Sequence, residues 1–195
     1  MTHYQELTLL QHEDVPLFAL WGKVYVQIHL ALTELQAALG AGKVGVAFPE
    51  YRFDAEAQSG HLGRKLRVFA DDAAVLQQLN LAQHLRRYAD YVQLSAVAAV
   101  PAEHGLACYA RVQVKSGAER AARRLIKRHP ELNYETELAR LQALNAHSTL
   151  PFIHMHSLSN KQAFRLFIAK SASSAAQTGD FGTYGLSNTA TVPDF

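Results

Sequence analysis

The sequence predicts an α+β chain, on three observations. Its first half sets short apolar runs of strand length among two segments of helical period, in the order strand, helix, strand, strand, helix, strand. A stretch punctuated by Pro and Gly then marks a shift of composition at residues 101–105. Beyond it lies a short helix with a single-sign charge stripe, set between further strand-like runs. A length of 195 residues suits one medium domain or two small ones, and 49% hydrophobic content is ample for a buried core.

Residues 3–10 alternate weakly and predict the first strand. Residues 15–40 predict a long helix whose Leu17, Leu20, Trp21, Val24, Ile28, Ala31, Leu32 and Leu35 gather on one face and pack on the sheet. Residues 43–48 and 65–70 read as short strands, 71–86 as a second helix and 91–100 as a fourth strand. That βαββαβ order predicts an N-terminal ferredoxin-like domain over residues 1–100, an arrangement shared with RNA-recognition folds. Architecture alone assigns no function, because this one is widely reused. Pro101-Ala-Glu-His-Gly105 reads as the linker to a smaller C-terminal α/β domain, residues 101–195. There the pattern predicts a strand at 107–115, a helix at 117–129, another near 134–147, and strands at 151–156 and 163–169. The tail, 171–195, is rich in Ser, Thr, Gly and Ala and predicts loops held down by a few aromatics.

The helix at 117–129 is the most distinctive element. At 100° per residue, Arg120, Arg123, Arg124, Lys127 and Arg128 fall within an arc of roughly 140°, opposite Ala118, Ala122, Leu125 and Ile126. Ser116 and Glu119 form a capping box, and Pro130 ends the helix after His129. Such a stripe is either a solvated face or a polyanion site. From Arg111 to Arg128 there are seven cations and only Glu119, a local charge of +6 in a chain whose net charge is +2. A solvated helix mixes signs in i,i+4 pairs, whereas a single-sign stripe repels itself until a polyanion neutralises it. Nucleic acid is the simplest partner.

Composition narrows the alternatives. The single Cys108 excludes an internal disulfide framework and the multi-cysteine zinc patterns, which fits a reducing, cytoplasmic setting. The N-terminus lacks a basic region followed by an apolar core, and the apolar runs are too short to span a bilayer. Ten histidines invite a metal hypothesis, and His154 and His156 would share a face of a strand. No third ligand stands at a recognisable spacing and H-E-x-x-H is absent, so neither a metal site nor a cofactor is expected.

A few residues stand out for chemistry. His29 lies off the apolar stripe of the first helix, beside Gly22, Val26 and Thr33, a face of small and mixed residues able to approach another domain closely. Histidine at such a position is ordinarily a surface residue, but it is also the side chain that exchanges a proton near neutral pH. Arg111, Gln113 and Lys115 alternate, so in a strand they point one way; Arg and Gln match the edges of guanine and adenine, and an ordinary exposed strand face would look the same. Phe164 is either core or a stacking platform for a base, with Phe167 filling the core. Residues 157–161 read as a polar turn, and Tyr184 sits between Gly182 and Gly185, placed for exposure.

Taken in order, His3-Tyr4, Ile28-His29-Leu30-Ala31-Leu32, Gly45-Val-Ala-Phe-Pro49, Leu62-Gly63, Arg111-Val-Gln-Val-Lys-Ser116, Arg123 to His129, Leu150-Pro-Phe152, Ser157-Leu-Ser159, Phe164-Arg-Leu-Phe-Ile168, Tyr184-Gly-Leu-Ser187 and Val192-Pro193 cover nearly the whole chain. In that order they resemble the repeat-processing endoribonucleases of type I-F CRISPR systems, the Csy-type branch of the Cas-six family. The resemblance implies a protein that binds the stem-loop of a precursor CRISPR RNA repeat and cuts at the 3′ base of the stem without a metal. In that reaction the upstream ribose 2′-OH attacks its own phosphate, leaving a 2′,3′-cyclic phosphate and a 5′-OH.

The residues that match the family's catalytic positions are His29, as base toward the 2′-OH, Ser157, holding that nucleotide, and Tyr184, orienting the imidazole. The resemblance further implies RNA contacts from Arg111 and Gln113 as base readers near the foot of the stem, from Phe164 by stacking, and from Lys115 and Ser159. The stripe of Arg120, Arg123, Arg124, Lys127, Arg128 and His129 would enter the RNA groove, which opens enough for a helix only beside a duplex end or loop. Lys127 stands where the family commonly has arginine, keeping the charge and losing the planar fork. His154 and His156 replace less titratable residues and are read as structural. The implied partners are the processed RNA, retained after cutting, and other CRISPR-associated proteins of a surveillance complex. The competing class is a noncatalytic hairpin-binding subunit with the same basic helix.

Overall fold

A computed structural model of the chain describes residues 1–40, 42–113, 118–143, 149–157 and 162–195. In chain order the first part contains β1 (His3–Leu9), α1 (Leu17–Leu39), β2 (Gly45–Ala47), β3 (Arg52–Asp54), β4 (Ser59–His61), β5 (Lys65–Ala70), α2 (Ala73–Leu79), α3 (Leu81–His84), a 3₁₀ segment Arg86–Tyr91, β6 (Val92–Leu94) and β7 (Ala98–Ala99). The second part contains β8 (Gly105–Val112), α4 (Ala118–Arg128), α5 (Tyr134–Ala143), β9 (Phe152–His156), β10 (Ala163–Ser173) and β11 (Val192–Asp194). The chain is α+β, with antiparallel sheets. One sheet has the order β2-β5-β1-β6, with β7 also on β1; another has the order β11-β8-β10-β9; β3 and β4 form a small hairpin.

A single hydrophobic core joins the two large sheets. Phe48 sits at its centre with no exposed surface. Its ring lies 5.7 Å from Trp21 and 6.0 Å from Tyr25, both on α1, and 6.0 Å from Tyr109 on β8. Tyr109 Oη donates to the Phe48 carbonyl at 3.1 Å, and Tyr51 Oη donates to the Ile168 carbonyl at 3.1 Å. Buried tyrosines thus keep their hydroxyls satisfied by reaching backbone across the joint. Burial pushes the Tyr109 phenol well up, so the hydroxyl keeps its proton and remains a donor.

The register of β1 with β5 places Tyr4, Glu6, Arg67 and Phe69 on one face. The chain's own end covers it. Phe195 meets Tyr4 edge-on at 5.1 Å and Phe69 at 6.2 Å, while the Arg67 guanidinium lies 4.0 Å over the Phe195 ring and donates to the Phe195 carbonyl. Glu6 accepts from Lys65 Nζ at 2.8 Å and from Arg67 Nε at 2.7 Å.

Several expectations change. The helix expected over 71–86 breaks at Asn80, whose left-handed backbone (φ 44°, ψ 55°) separates α2 from α3; asparagine is one of the few residues that tolerates that region. The strand expected over 91–100 splits into β6 and β7, both on β1. The β3–β4 hairpin escaped the pattern because its strands are three residues each and mostly exposed, leaving no apolar alternation to read. β8 ends at Val112, so the strand alternation expected for Arg111, Gln113 and Lys115 stops short: Gln113 lies just beyond the strand, and Lys115 is outside the described residues. The tail is not all loop, since β10 runs on to Ser173 and β11 returns to pair with β8. Of the helix expected over 134–147, residues 134–143 are helical and 144–147 are outside the described residues. The capping residue Ser116 also lies outside them.

Burial opposes the charged form of Glu6, but the hydrogen bonds and charges of Lys65 and Arg67 outweigh it and hold the carboxyl below its ordinary value. A carboxyl depressed only in the folded state contributes stability that is complete above the ordinary glutamate value of about 4.3 and is lost as the pH falls through the folded value. In urea unfolding, the stability gap between the native chain and Glu6→Gln should therefore be widest near neutral pH and narrow below about pH 4. A gap independent of pH would contradict this account of the pair.

Candidate functional site

Three side chains of α1 share one strip of the helix. Tyr25, His29 and Gln36 fall within roughly 40° of one another at 100° per residue. Each holds a carbonyl of the segment that runs antiparallel beside them. Tyr25 Oη donates to the Tyr184 carbonyl at 2.9 Å, His29 Nδ1 lies 2.8 Å from the Thr183 carbonyl, and Gln36 Nε2 donates to the Phe181 carbonyl at 3.0 Å. Burial and the neighbouring Tyr184 phenol push the Tyr25 phenol up, so it stays a protonated donor. From the other side, Val46 N donates to the Gly185 carbonyl at 2.8 Å. The Gly182–Gly185 turn closes on itself through Gly185 N to the Gly182 carbonyl, also at 2.8 Å.

The contact to Thr183 decides the chemistry of His29. A carbonyl oxygen only accepts, so Nδ1 carries the hydrogen, and the neutral ring keeps Nε2 as its acceptor. The Tyr184 ring stacks on the imidazole at 4.2 Å between centroids and 10° between planes. The histidine is thereby fixed in tautomer, by the carbonyl, and in orientation, by the stacked ring. His29 is half-buried rather than free on the surface, as is Tyr184.

The contacts continue outward. The Arg111 guanidinium lies 5.0 Å from the Tyr184 ring centroid and 5.7 Å from that of Phe164. His29, Tyr184, Arg111 and Phe164 therefore form one continuous run of side chains drawn from α1, the 182–185 turn, β8 and β10. Phe164 is half-buried and Phe167 is buried, which divides the two phenylalanines between surface and core.

Ser157 stands one residue past β9, where its N–H donates to the Gln162 carbonyl at 2.9 Å. β9 crosses α1 closely at Gly22, where an added Cβ would sit 2.6 Å from the His154 carbonyl oxygen. The face of small residues beside His29 is thus the face on which the other sheet docks. Gly22 and His29 are seven residues apart on that face, about 10 Å along the helix axis.

The cationic helix stands apart from this run. In α4, Ala118 and Ala122 are buried, whereas Arg123, Arg124, Lys127 and Arg128 are exposed, as is His129 just beyond its end. Arg123 lies 3.6 Å from Glu119 in an exposed i,i+4 pair, an interaction of little net worth. His129 Nδ1 lies 3.1 Å from Glu131 Oε1. Gln113 is exposed. The Arg120 side chain, Lys115 and Ser159 fall outside the described residues. Among the described residues no cluster of three or more His, Cys, Asp or Glu is placed to hold a metal ion, and no helix is long and apolar enough to cross a membrane. His154 and His156 share the exposed face of β9.

The sequence singles out His29 and Tyr184, which the structure stacks together, but not what holds them. Tyr25, Gln36 and the Thr183 carbonyl went unremarked. The spacing 25, 29, 36 along one strip of α1 carried part of that signal; the partner carbonyls carried none, because backbone acceptors have no residue signature.

A family model described as a CRISPR-associated protein (Cas_Csy4) matches residues 4–195. The chain is 34% identical over 197 residues, spanning 100% of both chains, to a CRISPR-associated endonuclease Cas6/Csy4 of Escherichia coli (strain UTI89 / UPEC). It is 34% identical over 199 residues, again spanning 100% of both, to a protein of the same description from Pseudomonas aeruginosa (strain UCBPP-PA14). A solved structure described as an RAMP protein binding different RNA substrates overlays 98% of this chain and 100% of its own at 10% identity, with a TM-score of 0.36, too low to bear on the fold.

Gly185 has a φ of +67°, and a Cβ there would lie 2.3 Å from Val46 Cγ2 and 3.3 Å from Leu32 Cδ1. Gly185→Ala should therefore lower stability in urea unfolding by at least about 1–2 kcal/mol, the backbone cost alone. Gly182→Ala is the control, because its Cβ would meet only the Leu186 carbonyl at 3.6 Å, and it should lose far less. Equal losses at the two positions would contradict the proposed tightness of the turn.

Proposed function

The chain belongs to the CRISPR-associated Csy4 family and is an endoribonuclease of that family, and from that premise we propose that it cuts repeat RNA at the 3′ base of the stem by metal-independent 2′-OH attack, with His29 as the general base. The observation that carries this reading is the hydrogen bond from His29 Nδ1 to the Thr183 carbonyl, because it leaves Nε2 as the proton acceptor. A base so positioned contributes roughly 10²- to 10⁴-fold. As the 2′ oxygen loses its proton to Nε2 and bonds to the adjacent phosphorus, the bond to the 5′ oxygen breaks. The products are a 2′,3′-cyclic phosphate and a 5′-OH. Tyr184 holds the imidazole plane by stacking, and Ser157 binds the nucleotide that supplies the 2′-OH.

Arg111, held beside Tyr184 and Phe164, links this chemistry to recognition. In the proposed complex it reads a base at the foot of the stem with Gln113, while Phe164 stacks on a neighbouring base. Lys115 and Ser159 add contacts to the RNA. Arg120, Arg123, Arg124, Lys127, Arg128 and His129 meet the phosphates of the stem. Exposed cations on a helix anchored by alanines suit that task, since their net interaction is with solvent until RNA arrives.

Residues 1–100 form a ferredoxin-like domain and residues 101–195 the RNA-binding domain, a reading supported by the strand order β2-β5-β1-β6 and by large sheets drawn from residues 3–99 and 105–194. The general RNA-recognition mode, in which the first sheet's face binds RNA, loses support because Phe195 and Arg67 occupy that face. The protein works in the cytoplasm, keeps its product through the many phosphate contacts, and joins other CRISPR-associated proteins in a type I-F surveillance complex.

Incubation of repeat RNA with the protein in EDTA should yield cut RNA with a cyclic phosphate end. His29→Ala should bind the same RNA and cut at least about 100-fold more slowly. Equal cutting by the two proteins, or loss of cutting in EDTA, would overturn the mechanism. Neutralising Arg123, Arg124 and Arg128 together should weaken stem-loop binding and flatten its salt dependence, by up to about three in the slope of log K against log salt.

A further inference from the structure

The proposed reaction leaves one exposed surface beside the active site unassigned. Ile153 and Met155 of β9 enter the core, so Phe152, His154 and His156 lie on the strand's other face. Phe18, in the first turn of α1, is 62% exposed although it is a large apolar ring. Its ring meets His154 edge-on at 6.2 Å, His154 meets Phe152 edge-on at 4.9 Å, and the Arg165 guanidinium lies 4.8 Å over Phe152. Arg165 is the cross-strand partner of His154. The result is a connected surface of three rings and a guanidinium.

We infer that this surface binds the single-stranded RNA that continues 3′ of the cut, an inference that rests on the stem-loop nuclease reading above. Two observations favour single-stranded RNA. The surface alternates aromatic rings with a planar cation, the combination on which unpaired bases stack while phosphates are neutralised. β9 and residues 162–167 also carry no acidic residue, and Arg165 is the cation among them; Glu13 and Asp14 stand ahead of α1, and Lys170 further along β10 is paired with Asp194. Exposed rings beside a guanidinium complement a polyanion that carries bases.

Position selects the 3′ flank. β9 runs to within one residue of Ser157, and it crosses α1 at Gly22, about 10 Å along the axis from His29. For a cut at the 3′ base of the stem, the nucleotide upstream of the scissile bond belongs to the duplex, and the nucleotide downstream is already single-stranded. The strand leaving the active site is therefore the one within reach of His154 and Phe18. The 5′ flank departs from the opposite strand of the stem.

The test uses the complete protein and three RNAs made uncleavable by a 2′-deoxy sugar at the last stem nucleotide: the repeat stem-loop alone, the same with about six uridines added 3′, and the same with about six added 5′. The 3′ extension should tighten binding roughly tenfold and the 5′ extension should not. The double variant Phe18→Ala, Arg165→Gln should lose that tenfold gain. Should the pair lower the melting temperature, Phe18→Ser alone, at the more exposed position, should lose most of it. No gain from the 3′ extension, an equal gain from the 5′ extension, or a gain retained in the variants would overturn the inference. Failure of the native protein to bind the stem-loop at all would overturn the nuclease reading together with this one.

Discussion

The candidate site depends on one constraint: a strip of α1 holds the 181–185 segment by its carbonyls. Tyr25, His29 and Gln36 each satisfy one acceptor of that segment. Each bond is worth only about 1 kcal/mol net. Their effect on geometry is larger, because together they place the Tyr184 ring flat on His29. The same bond that anchors the segment sets the tautomer. Structure and proton chemistry are therefore coupled at one atom, Nδ1 of His29.

What keeps α1 in place is the core around Phe48. Two α1 rings and Tyr109 of β8 pack against Phe48, so the helix carrying His29 and the strand carrying Arg111 are fixed to the same residue. Gly22 allows β9 to lie directly on α1 at His154. By contrast α4 shows little beyond its alanine face to the interior and leaves its cations in solvent. The two candidate regions differ accordingly: His29, Tyr184 and Arg111 are tied by several contacts, whereas the cations of α4 stand exposed.

The fold was legible wherever burial left a period. The α1 stripe read correctly, and β5 was placed at its observed bounds, because both bury an apolar face in the common core. The β3–β4 hairpin was not legible, since exposed three-residue strands leave no alternation. Asn80 broke an expected helix through backbone conformation, which periodicity does not register. At the candidate site, His29 stood out by residue type and by its place off the stripe, and Tyr184 by its flanking glycines. Their stacking, and the carbonyl that fixes the imidazole, arise from contacts across about 150 residues of chain, as the separations of 154 and 159 positions in the two α1 bonds show.

The most direct test of this account is the tautomer of His29 in solution. Long-range ¹H–¹⁵N correlation spectra of protein labelled with ¹⁵N at histidine, assigned by comparison with His29→Ala, report which ring nitrogen carries the proton above the imidazole's titration. The account predicts a protonated Nδ1 and an unprotonated Nε2 for His29, with the Nε2 proton dominant in the His29 signal once Tyr25→Phe and Gln36→Ala together free the segment. A native His29 with its proton on Nε2 would contradict the claim that the α1–carbonyl contacts prepare the base.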